Sequence, residues 1–312
     1  MDKLRKIFFD EASHKYTDEY SNTYTSMTTV IGDYYEKFGE KQEEIARACE
    51  RIGKKPSHPK YEKYKDKSAK QLLYEWSESA RIACDKGNNR HNYLEDIINV
   101  ANSFVLSTKK YSGKRIYTIQ DVVEDHDFGR IDFDYFEKSG LKDRYPAIYN
   151  LIAQLHNAGF YFYAEIGVFD PDRLISGLID LLCIHHDKKL FIILDWKTNK
   201  SKIVFESGYY DKDRNGNETG NFIHTNSVFK APLDHLPDST GHKYSMQVSG
   251  YAVLVSLYGY TNLTNMICHI REDEDGNEIV EVVKTLDLSN DANLMFNDHF
   301  YNRNLKTQGR IF

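Results

Sequence analysis

Three β-rich runs in the middle of the chain limit the fold more than any other feature. They read YFYAEIGVFD (161–170), LISGLIDLLCIHH (174–186) and KLFIILDWKT (189–198). Short polar breaks, Asp170-Pro171-Asp172 and Asp187-Lys188-Lys189, separate them. Aromatic and β-branched residues joined by tight polar connections predict a three-stranded antiparallel meander. A hairpin between the second and third runs would lay Asp180 beside Asp195. Alternate strand residues share a face, so Asp195 and Lys197 point one way and Trp196 the other. Asp180 is the only charge between Ser176 and His185. Charges in apolar strands are costly unless they are paired or bind a metal. A simple ion pair at a strand end is the plain alternative for Asp195 and Lys197. Two carboxylates converging with one lysine form a hard-oxygen site suited to Mg²⁺ or Mn²⁺.

The flanking sequence frames this meander. Apolar and polar residues alternate over the first 25 positions, which predicts a hairpin. Residues 40–52 and 68–105 read as helices. In the second of these, Leu72, Leu73, Trp76, Ala80, Ala83 and Cys84 recur at helical spacing, Gly87 interrupts, and Tyr93, Leu94, Ile97, Ile98 and Ala101 resume. A hairpin is expected around 130–136 and a helix at 146–157. The polar segment 199–240, with Asn215-Gly216-Asn217 and Thr219-Gly220-Asn221, reads as a loop or flap. A helix at 241–258, a strand at 264–271, a turn at 273–277, a strand at 278–285 and a helix at 289–304 complete the chain. This order predicts an α/β fold: a mixed central sheet flanked by helices, with an N-terminal helical elaboration. Residues 1–145 form the hairpin and helical region, and 146–312 the core, integrated into one domain.

Composition narrows the setting. No apolar run approaches the roughly 20 residues of a membrane-spanning helix, and the start MDKLRKIFFDEASHKY does not read as a secretion signal. Cys49, Cys84, Cys183 and Cys268 are scattered without a CxxC pair, so neither a zinc ribbon nor an iron–sulfur cluster is expected. Cys183 and His185 share a strand face that His186 does not, which argues against zinc there. Free thiols fit a reducing cytoplasm. The net charge of −6 does not advertise a nucleic-acid binder, yet local charge matters more than the total. Between 51 and 70, Arg51, Lys54, Lys55, Lys60, Lys63, Lys65, Lys67 and Lys70 face only Glu62 and Asp66. Lys109, Lys110, Lys114 and Arg115 make a second, smaller basic run. A solvated lysine-rich surface is the plain reading of each run. The alternative for the first is a channel for single-stranded DNA, with Tyr61, Tyr64 and Trp76 stacking on bases.

Asp180 on one strand ahead of Asp195-Trp196-Lys197 on the next resembles the PD-(D/E)XK nuclease superfamily. Further elements in the same order resemble its RecB-type exonuclease branch. Gly87 to Glu95 is similar to a G-x-x-x-H-x-x-x-E helix carrying His91, Asp195 to Thr198 to D-x-K-T, and Gln247 to Tyr251 to a Q-x-x-x-Y helix. Tyr24 to Ile31 is similar to the S-V-T-x-h opening of that branch, and 232–238 to a stretch of bacteriophage members. The resemblance implies Asp180, Asp195, the Trp196 carbonyl and His91 as ligands of Mg²⁺ or Mn²⁺, with Glu165 as a further ligand or support. It implies Lys197 as the catalytic lysine, and Gln247 and Tyr251 as site-stabilising or DNA-contacting groups. The implied activity is a metal-dependent deoxyribonuclease, an exonuclease acting on DNA ends or single strands in a host cytoplasm, alongside phage recombination or replication proteins. A nicking or structure-selective endonuclease is the alternative within this chemistry, and a catalytically inactive nucleic-acid-binding module the alternative outside it. A lone helical His is more often structural than a ligand, an alternating strand Glu is the rival for Glu165, and core packing is the rival for Tyr251.

Overall fold

The computed structural model describes residues 6–10, 13, 15–102, 114–212, 218–273 and 275–308. Lys109, Lys110 and the turn Asn215-Gly216-Asn217 lie outside the described residues. The strands are β1 (Ile7–Asp10), β2 (Lys15–Asp18), β3 (Thr23–Ser26), β4 (Lys114–Arg115), β5 (Tyr161–Asp170), β6 (Ile175–His185), β7 (Leu190–Lys197), β8 (Gly208–Lys212), β9 (Glu218–His224), β10 (Thr261–Glu272) and β11 (Glu278–Lys284). The helices are α1 (Met27–Gly32), α2 (Gln42–Ile52), α3 (Tyr61–Tyr64), α4 (Ala69–Ala101), α5 (Ile119–Glu124), α6 (Phe133–Glu137), α7 (Leu141–Arg144), α8 (Pro146–Asn157), α9 (Thr240–Ser256) and α10 (Ser289–Gln308).

Nine of these strands form one mixed sheet in the order β11-β10-β7-β6-β3-β2-β1-β4, with β5 also on β6. The expected meander is present as β5, β6 and β7, all antiparallel. Two parallel pairings, β7 with β10 and β3 with β6, make the sheet mixed. Both faces are covered, so the central strands read as near-continuous apolar runs. On one face α1, α5, α9 and α10 enclose a cluster that includes Met27, Ile119, Met246, Tyr251 and Phe296. On the other, the C-terminal part of α4 and α6, α7 and α8 enclose Leu94, Phe136, Ile152, Leu194 and Trp196. Helix α9 is apolar or small almost all round, as a helix enclosed by neighbours must be. Its Ser245 and Ser249 hydroxyls accept from the backbone N–H groups of Leu286 and Leu288 at 3.1 and 3.0 Å, which satisfies polar atoms inside the core.

Several sequence expectations change. The first strands form a meander, β2 pairing with both β1 and β3, rather than a single hairpin. Helix α4 runs 33 residues without a break at Gly87. A helical pattern tolerates one glycine at about 1 kcal/mol, and the turns on either side hold it. The 130–136 segment is not a hairpin. A 3₁₀ turn at Asp127–Gly129 leads to α6, whose N-cap Asp132 accepts from Tyr135 N–H. Within 199–240 a two-stranded ribbon, β8 with β9, stands apart from the main sheet.

The N-terminal part of α4 carries an arm. Residues 79–86 are exposed on every side, and ion pairs of Arg81 with Glu78 and Asp85 at 3.1 and 3.0 Å lace the helix, as expected for a solvent-bridging segment. Beyond it, α2 packs on α4 through a small separate cluster of Ala46, Cys49 and Leu72. Contact with the body begins at Lys86, whose ammonium lies 2.8 Å from Glu272. Buried Arg90 then clasps Glu278 at 2.6 Å and Glu272 at 3.1 Å, and Glu278 also accepts from Tyr145 Oη at 2.7 Å.

Gly177 on β6 tests the packing of α9. A Cβ built there would lie 2.3 Å from Cε1 of the buried Tyr251 ring. Gly177→Ala is expected to lower stability by about 1–3 kcal/mol, the usual cost of overpacking, read from the midpoint of a urea melt. An unchanged midpoint would show that the ring moves aside freely.

Candidate metal centre

The site forms where β6 loses its neighbour. On one edge β6 pairs with β3 through Ile175 and Ser176, and with β7 from Leu181 onward. Residues 177–180 pair with neither. The Trp196 N–H on β7 points into this gap, and Asp180 Oδ2 accepts it at 2.7 Å. A strand residue's N–H and C=O point to the same side, so the Trp196 carbonyl faces the gap as well, while its indole is buried in the α4–α8 layer.

The register aligns three carboxylates. β5 pairs with β6 through Ala164↔Leu181 and Ile166↔Ile179, which sets Glu165 opposite Asp180. β6 pairs with β7 at Leu181↔Leu194, so the next step sets Asp180 opposite Asp195. Glu165 has φ of +52°, a left-handed backbone that a non-glycine residue adopts only under constraint. Side-chain alternation changes phase there. Tyr163 before it and Ile166 and Val168 after it all enter the α9 layer. β6 changes phase at Asp180 likewise, between Ile179 and Leu182. Both acidic residues sit at kinks in their strands.

Helix α4 closes the site from one layer and α9 from the other. His91 Nδ1 lies 3.8 Å from Asp180 Oδ2, and ligand atoms of His91, Glu165 and Asp180 all lie within 4.8 Å of one another. Gly87, one turn before His91, lets the helix come close: a Cβ there would meet Thr198 Oγ1 at 2.8 Å. Asp195 does not join that trio. It is paired with Lys197, and its carboxylate is 2% exposed. The Lys197 ammonium also sits 5.1 Å over the ring of Tyr244, whose hydroxyl donates to Asn199 Oδ1 at 2.9 Å. Gln247 Nε2 donates to Tyr251 Oη at 3.0 Å, and Tyr251 packs against Gly177 at the edge of the gap.

Electrostatics describe a site short of positive charge. Burial, then Asp195, pushes the Asp180 carboxyl up to about 6, although His91, Lys197 and the Trp196 N–H all work the other way. Burial raises Glu165 well above the ordinary carboxylate range, and Asp180, Glu95 and Asp195 raise it further. Burial alone would lower Lys197, but Asp195 and Asp180 outweigh it and hold the ammonium above its usual value. Burial and Asp195 push the Tyr251 hydroxyl well up, against the Gln247 contact. Crowded carboxylate oxygens with raised proton affinity, one imidazole and a carbonyl facing the same gap fit a hard divalent cation such as Mg²⁺ or Mn²⁺.

Three further residues face this site, two of them without a sequence motif to announce them. Tyr244 lies under Lys197. Tyr16 on β2 is buried close enough to Glu165 for that carboxylate, after burial itself, to raise its hydroxyl. Glu95, one turn beyond His91, adds to the negative field on Glu165. The G-x-x-x-H-x-x-x-E pattern ends on Glu95 and was the available signal for it; nothing local marked the two tyrosines.

A folded carboxyl pKa above its unfolded value means the native state binds the proton more tightly. Stability from that group is complete below about pH 4 and is lost as pH rises to about 6. Asp180→Asn keeps an oxygen to accept the Trp196 N–H and removes the charge. Without divalent metal, this variant should exceed wild type in stability by roughly 1–3 kcal/mol above pH 6.5, with the gap closing toward pH 4. Thermal melts across pH 4–8 measure it. A constant gap would show that the Asp180 charge is not the cause. No family model matches the chain, and a search of the curated proteins returned no match.

Proposed function

We propose that the protein is a metal-dependent DNA nuclease with a PD-(D/E)XK-type core of the RecB-type branch, acting from DNA ends as an exonuclease. The observation that carries this reading is the row Glu165, Asp180 and Asp195 at one register across three strands, with Lys197 paired beside it. Asp180, Glu165, His91 and the Trp196 carbonyl are the groups that would hold Mg²⁺ or Mn²⁺, with Asp195 at the margin toward Lys197. Such a cation polarises a phosphate oxygen and lowers the pKa of water, which supplies a nucleophile near neutral pH.

The remaining groups have separable tasks. Lys197 stays protonated, so it acts as a donor and a fixed positive charge, orienting the attacking water and offsetting charge that builds on the phosphate. Asp195 keeps that ammonium ionised in a buried setting, and the Tyr244 ring limits where it swings. Gln247 and Tyr251 are positioning residues that brace the β6 side of the gap. The end-directed mode and the preference for DNA rest on the motif resemblance.

The test is cleavage of end-labelled linear single-stranded, linear duplex and closed circular DNA, with Mg²⁺ or Mn²⁺ and with EDTA. Wild type should degrade linear DNA only, and only with metal. Lys197→Ala and Asp195→Ala should each lower the rate by about 10²–10³-fold or more. Asp180→Asn should abolish hydrolysis while raising the melting temperature, a pairing that simple misfolding does not produce. Cutting of circles would replace the exonuclease by an endonuclease. No cleavage in any condition, with DNA binding retained, would leave a binding module.

A further inference from the structure

The arm at the start of α4 has no part in the site, yet it carries a net positive charge in an acidic chain. Residues 51–70 carry a net charge of +6, and the arm as a whole, residues 42–86, carries +3 in a chain whose total is −6, so the rest of the chain carries −9. Positive charge gathered at one end of a projection, against a body of opposite sign, is the electrostatic footprint of a surface that meets a polyanion. Lys54 and Lys67 are taken up by Glu50 and Glu75 at 2.8 and 2.7 Å. Lys55, Lys60, Lys63, Lys65 and Lys70 are exposed and belong to no ion pair among the described residues. Of the aromatic rings nearby, Tyr74 on α4 is 66% exposed, while Tyr61, Tyr64 and Trp76 are partly buried. Tyr64 and Trp76 pack against the arm's own small cluster, and Lys63 and Lys65 lie 5.7 and 5.8 Å from the ring centroids of Tyr64 and Tyr61. That arrangement favours ammonium contacts to phosphates over base stacking on Tyr61, Tyr64 or Trp76.

Geometry says where those phosphates would be. The continuous α4 joins the arm to the site, from Lys70 at its base to His91 beside Asp180. At 1.5 Å per residue this is about 30 Å, close to one turn of duplex DNA. The exposed stretch 79–86 leaves that part of the helix free of packing.

We propose that the arm is a docking surface for the DNA backbone, gripping phosphates about one helical turn away from the site. This rests on the nuclease reading for the identity of the partner, and it assigns to Lys60, Lys63 and Lys65 affinity rather than chemistry. Binding there is sequence-independent and salt-dependent, because each contact releases condensed counterions.

The experiment measures affinity of a fluorescein-labelled 24-pair duplex by anisotropy in EDTA, across a salt series, so that no cleavage intervenes. Lys60→Glu/Lys63→Glu/Lys65→Glu should bind at least about tenfold more weakly at low salt, with a log–log salt slope smaller by about three. Lys60→Gln/Lys63→Gln/Lys65→Gln carries the same test if the first variant melts early. Neutral methylphosphonate linkages about eight to ten pairs from the end should weaken wild type and add little to the variant, since both remove the same contacts. Unchanged affinity and slope, or an equal effect of neutral linkages on wild type and variant, overturns the proposal, as does a wild type with no DNA affinity. Failure of the nuclease reading looks different: no hydrolysis with Mg²⁺ or Mn²⁺ while the lysine effect on binding persists.

Discussion

The site depends on one hydrogen bond that a side chain makes where the main chain cannot. After Leu181↔Leu194 the ladder between β6 and β7 ends, and the Trp196 N–H finds no carbonyl opposite. Asp180 Oδ2 takes that place. An unsatisfied buried N–H costs about 1–3 kcal/mol, so an acceptor is required in the gap. The strands can part without loss because the acceptor is a side chain, and the parting opens a cleft in the middle of an otherwise closed sheet. The same carboxylate that mends the ladder is thereby aimed at Glu165 and His91. Structural acceptor and candidate ligand are one group, which is why the backbone kinks collect around it.

The short motifs make sense as contacts between elements. Gly87 sits one turn before His91 so that α4 can approach Thr198, the residue after Lys197. Gly177 sits three residues before Asp180 so that the edge of the Tyr251 ring can come up against β6, and Gln247 holds the Tyr251 hydroxyl from the preceding turn. Each glycine removes a Cβ at a place where a helix must touch a strand. α4 and α9 are thereby set against opposite faces of the same gap. Arg90, clasped by Glu278 and Glu272, fixes the rotation of α4 and so the aim of its neighbour His91.

Much of this was legible because strand register is arithmetic. Tight polar breaks gave the meander its turns, and the turns set Asp180 against Asp195. The α/β class with a mixed sheet followed from the order of apolar runs. What escaped the sequence depends on packing over long separations. Gly87 reads as a helix break from composition, and only the Thr198 contact explains its presence inside a continuous helix. The 130–136 segment alternates like a strand, yet the N-cap at Asp132 and the burial of Phe136 under α8 make it helical. The positive φ of Glu165 has no local signal at all, since nothing in YFYAEIGVFD departs from a strand pattern. Tyr16 and Tyr244 reach the site from β2 and α9, far away in the chain.

The charges of the site also account for its relation to the fold. Three carboxylates and one lysine are enclosed by apolar layers built from Leu194, Tyr251 and their neighbours. Only one of the three finds an ammonium. The other two hold their protons more tightly than free carboxyls do, so at neutral pH the native state loses free energy by ionising them. On the proposed function, a divalent cation held by the folded arrangement and not by the unfolded chain would reverse the sign of that effect. Removing the charge has the same stabilising direction as neutralising it with metal, but without any capacity to bind one. A cluster kept for stability alone would have no reason to set Glu165 in a left-handed backbone and to bury a carboxylate at Asp180, when an asparagine there would still accept the Trp196 N–H. On the proposed function, the arrangement is a fold that accepts a local cost in order to present oxygen ligands at a gap in its own sheet.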